Sequence, residues 1–253
     1  MASAVEHYHR LLAKHYTWML GGDIPAAAVG QAGLLRELGV VSTSGNEVAV
    51  DLGCGSGAQT LALARLGFSP VIAVDTSAPL LKELALNAAE EGAAQAIRPV
   101  HRDIRGALSE ETGPGTVTAV VCMGDTLLHL PGKADVRTLL SEIAQALRPG
   151  GRFIATYRDL TRELKGTDRF IPVRNTEDRL FTCFLDYQDE DTVMVHDLVH
   201  VRTGNSWDLQ ASSYPKLRLA PEYLEEQCRA AGLEVRSHRA GPTGMHVLHV
   251  GKP

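Results

Sequence analysis

From Val48 onward, short apolar and β-branched runs alternate with longer stretches in which apolar positions recur every three or four residues. That alternation is the pattern of βαβ units feeding a parallel sheet. The runs predict strands near 47–51, 70–75, 97–101, 116–122 and 151–157. After the second run, Leu80, Leu81, Leu84, Ala85 and Ala88 share one helical face, with Ser77 placed to cap the helix and Pro79 in its first turn. This helix is expected to stop near Gly92. After the fourth run, Val136, Leu139, Leu140, Ile143 and Leu147 repeat the helical spacing before the breaker run Arg148-Pro149-Gly150-Gly151.

Two regions depart from the alternation. Residues 1–45 read as helices carrying His7, Tyr8, His9, His15, Tyr16 and Trp18. Residues 180–219 read as an antiparallel meander, in which FTCFLDY and TVMVHDLVHV flank an acidic turn and a further strand ends near Tyr214. A helix from Pro221 to Ala231 follows, then two strands, 233–239 and 245–250, joined around Gly241-Pro242-Thr243-Gly244. The predicted fold class is α/β: a Rossmann-like, doubly wound, seven-stranded, mostly parallel sheet with an N-terminal helical lid and an inserted antiparallel meander. One domain over 1–253 is expected, divided into a lid (1–45), a ligand-binding core (46–160), an antiparallel insertion (161–220) and closing elements (221–253).

With 44% hydrophobic and 22% charged residues among 253, the composition is that of an ordinary globular protein. A net charge of −5 offers no long-range attraction to phosphate backbones or anionic lipid, so neither nucleic acid nor membrane is expected as a partner. The N-terminal MASAVEHYHRLL lacks the layout of a signal peptide, no apolar run approaches the roughly 18 residues of a membrane span, and the expected location is the cytoplasm. The four cysteines form no CxxC pair, so neither a disulfide frame nor a metal site is expected. A small-molecule partner is expected, with a homodimer left open.

The most informative stretch is VAVDLGCGSGAQTLALA, in which an apolar strand runs through Asp51 into Gly53, Gly55 and Gly57 and then a helix. Glycines at such a junction let a ligand lie against bare main chain. Asp75 falls 24 positions after Asp51, where an acid can accept ribose hydroxyls. Gly53, Gly55 and Ala58 also satisfy the dinucleotide fingerprint, so an NAD(P)-dependent oxidoreductase is the rival reading. Against it stand Asp51, whose charge would repel a pyrophosphate, the glycine at 57, and the LRPGG hinge before the fifth strand.

Taken together, DLGCGSG, Asp75, HRDI at 101–104 and ALRPGGRF resemble the class I S-adenosylmethionine-dependent methyltransferases over roughly 46–157 and again near 233–250. The resemblance implies that the Asp51 region and Gly53 to Gly57 hold the methionine moiety, that Asp75, with Thr76 beside it, holds the ribose, and that Asp103 and Ile104 meet the adenine. Met123, Gly124 and Asp125 would flank the adenosine, and Tyr16 and Trp18 could wall the sulfonium from the lid. GDTLLHLPG at 124–132, followed by Arg158, is further similar to the small-amine N-methyltransferases of the glycine and sarcosine type, in which such an arginine grips the acceptor's carboxylate.

The expected reaction is N- or O-methylation of a small acceptor by direct in-line displacement, without a metal. A hydroxyl acceptor would need a general base, for which His129 and His200 are the candidates, with His196 on the same strand face as His200; Arg158 is the candidate for holding the acceptor. Each has a bland counterpart: Arg158 can simply pair with Asp125 or Asp159, and the histidines can pack in the core. A non-catalytic S-adenosylmethionine-binding module is the third reading.

Overall fold

The computed structural model describes residues 4–241 and 244–253; Met1 to Ser3 of the expected lid, the expected junction at Pro242-Thr243 and the side chain of His9 lie outside the described residues. The chain begins with α1 (Ala4–Arg10), a 3₁₀ turn (Leu12–Lys14), α2 (Tyr16–Met19) and α3 (Ile24–Glu37). The core then runs β1 (Val48–Leu52), α4 (Ala58–Arg65), β2 (Val71–Asp75), α5 (Ala78–Glu90), β3 (Ile97–His101), α6 (Ala107–Glu111), β4 (Val117–Cys122), α7 (Lys133–Ala146) and β5 (Leu147–Arg158). Next come β6 (Phe170–Asn175), β7 (Arg179–Tyr187), β8 (Thr192–Thr203) and β9 (Ser206–Leu217), and the chain closes with α8 (Pro221–Ala230), β10 (Glu234–Ala240) and β11 (Met245–Gly251).

The main sheet has seven strands in the order β10-β11-β5-β4-β1-β2-β3, and a separate antiparallel sheet has the order β6-β7-β8-β9. Only β11 runs against its neighbours in the main sheet. The fold is therefore the Rossmann-like, mostly parallel α/β arrangement that the alternation implies. Central strands read as unbroken apolar runs because helices cover both faces. Val50, Leu52, Val120, Phe153 and Tyr157 pack towards α7 and α8, whereas Ala49, Val71, Val121 and Ile154 pack towards α3 and α4. Strand order reverses between β1 and β4, and such a switch point leaves a crevice at the carboxyl ends of the strands.

Three local readings are corrected. Ser77 is the N-cap residue of α5, but its hydroxyl is buried without a partner, and the capping interaction is instead Ser77 N donating to Asp75 Oδ1 at 2.8 Å. The breaker run before the fifth strand lies inside β5, which starts at Leu147 and absorbs the turn at Gly150 (φ 77°), where its register with β4 shifts. The insertion has four strands, not three. β6 escaped the periodicity because it carries Pro172 among half-polar positions, and an edge strand tolerates the missing N–H.

Among the described residues no helix is long and apolar enough to cross a membrane, and no group of three or more His, Cys, Asp or Glu side chains is arranged to hold a metal ion.

Candidate functional site

At the end of β1 the chain turns through Gly53 (φ 78°), Gly55 (φ 53°) and Gly57 (φ 102°), a backbone that side chains rarely adopt. A Cβ on Gly53 would strike the Thr126 side chain, and one on Gly55 would lie 2.8 Å from the Tyr16 ring. Both glycines thus keep a narrow space clear. Gly57 serves a different end, because a Cβ there would run into Leu84 of α5. Asp75, at the end of β2, steadies the loop: its Oδ2 accepts from Gly55 N at 2.8 Å while Oδ1 accepts from Ser77 N. The carboxylate as a whole keeps acceptor capacity for a ligand. Burial raises the Asp75 carboxyl, against the opposing backbone bonds of Gly55, Ser77 and Thr76.

These residues open onto a cavity. One half is polar, with Gly53, Gly55, Asp75, Thr76, Asp103, Ile104 and Arg105 on its wall. Asp103 and Arg105 hold each other, with Arg105 Nη2 2.7 Å from Asp103 Oδ2. The other half is apolar and aromatic, built from Val5, Tyr8 and Tyr16 of the lid and from Gly124, Thr126, His129, Leu130 and Pro131 after β4. A 3₁₀ turn, Thr126–His129, carries Thr126 and His129 into this half.

Of the expected site residues, Gly53, Gly55, Asp75, Thr76, Asp103, Ile104, Gly124, Tyr16 and His129 lie around this one cavity. The others do not. Asp51 is 1% exposed and lies behind the loop, where it accepts from Thr60 Oγ1 at 2.6 Å. Burial pushes its carboxyl up to about 7, partly offset by Thr60. Gly57 packs on α5, and Met123 is buried with its carbonyl accepting from Thr126 Oγ1. Asp125 is buried and takes Arg158 and Lys216, so Arg158 is held by a carboxylate of its own chain.

Trp18 and His200 are placed away from the cavity. Trp18 packs with Leu11, Leu12, Phe181 and Val199, and the guanidinium carbons of Arg174 and Arg179 lie 5.5 and 5.6 Å from its ring. On β8 the residues facing the core are Val193, Val195, Asp197 and Val199, which puts His196 and His200 on the opposite face. Trp18→Ala should therefore cost about 2 kcal/mol of stability through lost packing. Calorimetry with S-adenosylhomocysteine should find its affinity within about twofold of wild type.

Asp197 and Tyr214 of the insertion, which the sequence reading did not place at the site, join His7 and Tyr8 of its N-terminal cluster around His129. His7 of α1 is 0% exposed, and its Nε2 donates to Asp197 Oδ2 of β8 at 2.8 Å. Its ring stacks on Tyr214 of β9 (centroids 4.1 Å), and Tyr214 stacks in turn with His129 (5.3 Å). Tyr8 stands edge-on to His129 at 5.8 Å. The Nδ1 of His129 is sealed from solvent and has no partner. Burial, and then the Lys216 ammonium, lower His129 to about 3, with Asp125 acting in the opposite sense. Valine at 193, 195, 199 and 201 is the one signal that could have identified the core-facing register of β8.

Residues 49–151 match the methyltransferase domain family. The chain is 33% identical over 128 residues to the ubiquinone biosynthesis O-methyltransferase of Cupriavidus pinatubonensis, covering 50% of this chain and 46% of that protein. It is 37% identical over 117 residues to the protein of the same name from Caulobacter vibrioides, covering 46% and 42%. The match thus spans less than half the length of these curated relatives. Among solved structures, an S-adenosylmethionine-dependent methyltransferase from Clostridium acetobutylicum superposes with a TM-score of 0.73 at 17% identity, covering 97% of this chain and 98% of that one. The CcbJ methyltransferase from Streptomyces caelestis gives 0.74 at 21% identity, with 90% and 96% covered. CalS10, an amino pentose methyltransferase from Micromonospora echinaspora, gives 0.71 at 17% identity, with 95% and 96% covered. These structures share the fold.

Proposed function

We propose that the chain is a single-domain, S-adenosylmethionine-dependent methyltransferase that acts in the cytoplasm on a hydroxyl group of a small, neutral molecule. The observation that carries this reading is where the cavity opens. It exposes Gly53, Gly55 and Asp75, whereas the N-terminus of α4 is closed: Ser56 is 0% exposed, Gly57 is packed by Leu84, and Asn87 Nδ2 donates to the Ser56 carbonyl. A pyrophosphate has no landing place on that helix end, so the dinucleotide reading loses its physical basis. The cleared space over Gly53 and Gly55 and the acceptor capacity left on Asp75 fit a nucleoside joined to its tail by a short linkage without phosphate.

When bound, S-adenosylmethionine supplies an electrophilic methyl group on a sulfonium. The chain's own tasks are to hold donor and acceptor in line and to keep water out. Gly53, Gly55 and Asp75 would bind the donor, with Asp103 and Ile104 at the adenine and Tyr16 laid across the loop from the lid. Tyr8, His129, Leu130 and Pro131 would enclose the acceptor. A hydroxyl sheds its proton as it attacks, and the imidazole of His129 on the cavity wall is the base to take it. An oxonium is so strong an acid that even a weakly basic imidazole suffices. A methylated amine would hold its own proton instead and would need no base to take it. The pairing of Arg158 with Asp125 also removes the ground for a carboxylate-bearing amine. The relatives' name, ubiquinone biosynthesis O-methyltransferase, supports a hydroxyl acceptor as well.

Thermal unfolding separates the readings. A ligand at 100 times its Kd adds about 2.7 kcal/mol of stability, which in a chain of this length raises Tm by about 5–10 °C. S-adenosylhomocysteine should produce that shift and NADH none. The reverse pattern would replace this proposal with the oxidoreductase.

A further inference from the structure

Among the described residues, Asp125 is the one non-glycine with a positive φ (73°), and it follows Gly124, also left-handed at 74°. Asp adopts this conformation more readily than most side chains, yet it still costs free energy that the surroundings must offset. The surroundings do so. Asp125 N donates to the Thr156 carbonyl at 3.1 Å, and the Asp125 carbonyl accepts from Leu128 N at 2.9 Å. Oδ1 accepts from Arg158 N at 2.8 Å, while Oδ2 accepts from Arg158 Nη1 and, at 2.8 Å, from Lys216 Nζ. The residue is 1% exposed, and Gly124 N beside it is pinned to Thr156 Oγ1 at 2.9 Å.

Every one of these bonds constrains the 3₁₀ turn that brings Thr126 and His129 into the cavity. Asp125 also joins three separate parts of the chain: the turn after β4, the end of β5 through Arg158, and β9 of the insertion through Lys216. Lys216 lies on the same strand as Tyr214, whose ring is the stacking partner of His129. Resting on the methyl-transfer reading, we propose that Asp125 is a positioning residue rather than a donor ligand: its strained turn and its bond to Lys216 lock His129 against the Tyr214 wall of the acceptor half. A glycine at 125 would meet the backbone geometry at lower cost, so what aspartate adds there is its carboxylate.

The test uses the whole chain labelled with ¹⁵N-histidine and saturated with S-adenosylhomocysteine. In Asp125→Gly, S-adenosylhomocysteine affinity by calorimetry should stay within about threefold of wild type, while the His129 ring resonances shift or broaden. In Asp125→Asn, which keeps an oxygen for Arg158 N, they should move less. Lys216→Met leaves the turn's backbone untouched and should displace the same resonances, which keeps the test decisive if the glycine variant fails to fold. A larger loss of affinity in Asp125→Gly would make Asp125 a donor ligand and overturn the proposal. Wild-type His129 resonances in both Asp125→Gly and Lys216→Met would overturn it equally, because a role in stability alone leaves the folded ring where it was. Failure of the wild-type protein to bind S-adenosylhomocysteine would instead overturn the methyl-transfer reading on which this rests.

Discussion

Asp75→Ala is expected to weaken S-adenosylhomocysteine binding by about 100-fold or more, because two charge-assisted hydrogen bonds to ribose hydroxyls are each worth roughly 1.5–3 kcal/mol. Asp75 also accepts from Gly55 N and Ser77 N, so its removal leaves two loop donors without their acceptor and should cost a further 1–3 kcal/mol or so of stability. The two effects are separable. Calorimetry at a temperature where circular dichroism shows the variant folded reads the binding loss alone. Asp75→Asn provides the control: one carbonyl oxygen can serve one backbone N–H but cannot take both hydroxyls, so binding should fall to an intermediate value. An Asp75→Ala protein that binds S-adenosylhomocysteine as wild type does would remove the ribose from this end of β2, and with it the donor site proposed here.

The residues of the glycine loop and the end of β2 were legible for a physical reason. Gly53, Gly55 and Asp75 lie within one βαβ unit, where local chain geometry alone dictates that the glycine turn and the end of β2 meet. The same locality made β1, β2 and β4 readable, as unbroken apolar runs that only a doubly covered sheet accommodates. It also misled. Asp51 and Gly57 belong to the same motif, yet they act on Thr60 and Leu84 behind the loop rather than on its open side. Spacing shows that residues share a turn and does not tell which side of it faces the ligand.

The aromatic half of the cavity was legible only in part, because its residues meet through long-range packing. His7 and Asp197 are 190 positions apart, and Lys216 is 91 from Asp125. Nothing local links them. His200 illustrates the limit: alternation along β8 correctly groups it with His196, but only the valines at the odd positions reveal that this pair faces away from the lid. Trp18 was expected over the donor on the strength of an aromatic cluster, but the short α2 points it towards Phe181 and Val199 of the insertion. His129 was found because it follows β4 directly, at the rim where parallel sheets bind ligands.

His129→Phe keeps a ring against Tyr214 and removes the base, and it is expected to lower kcat by about 100- to 1,000-fold. An acceptor for the assay would come from S-adenosylhomocysteine release across a panel of small alcohols, phenols and amines. S-adenosylhomocysteine affinity should remain near that of wild type, which distinguishes loss of a base from loss of the donor site. The pH profile adds a sharper discriminant. With its pKa at about 3, His129 stays neutral throughout the ordinary working range, so wild-type kcat should stay level between pH 5 and 8 rather than decline below 6.5 as it would for an unperturbed imidazole. Lys216→Met removes a cation that disfavours the imidazolium and leaves Asp125 to favour it, so the acid limb should move up towards 6.5. Stability follows the same sign. A folded pKa below the ordinary 6.5 means that the unfolded chain takes up the proton first, so stability present above pH 6.5 is lost as the pH falls towards 3. Asp51, raised to about 7, works in the opposite direction but equally in both proteins. His129→Phe should therefore lose less stability than wild type between pH 7 and 4 in urea titrations, and an equal loss would show that the ring is not held neutral by the fold.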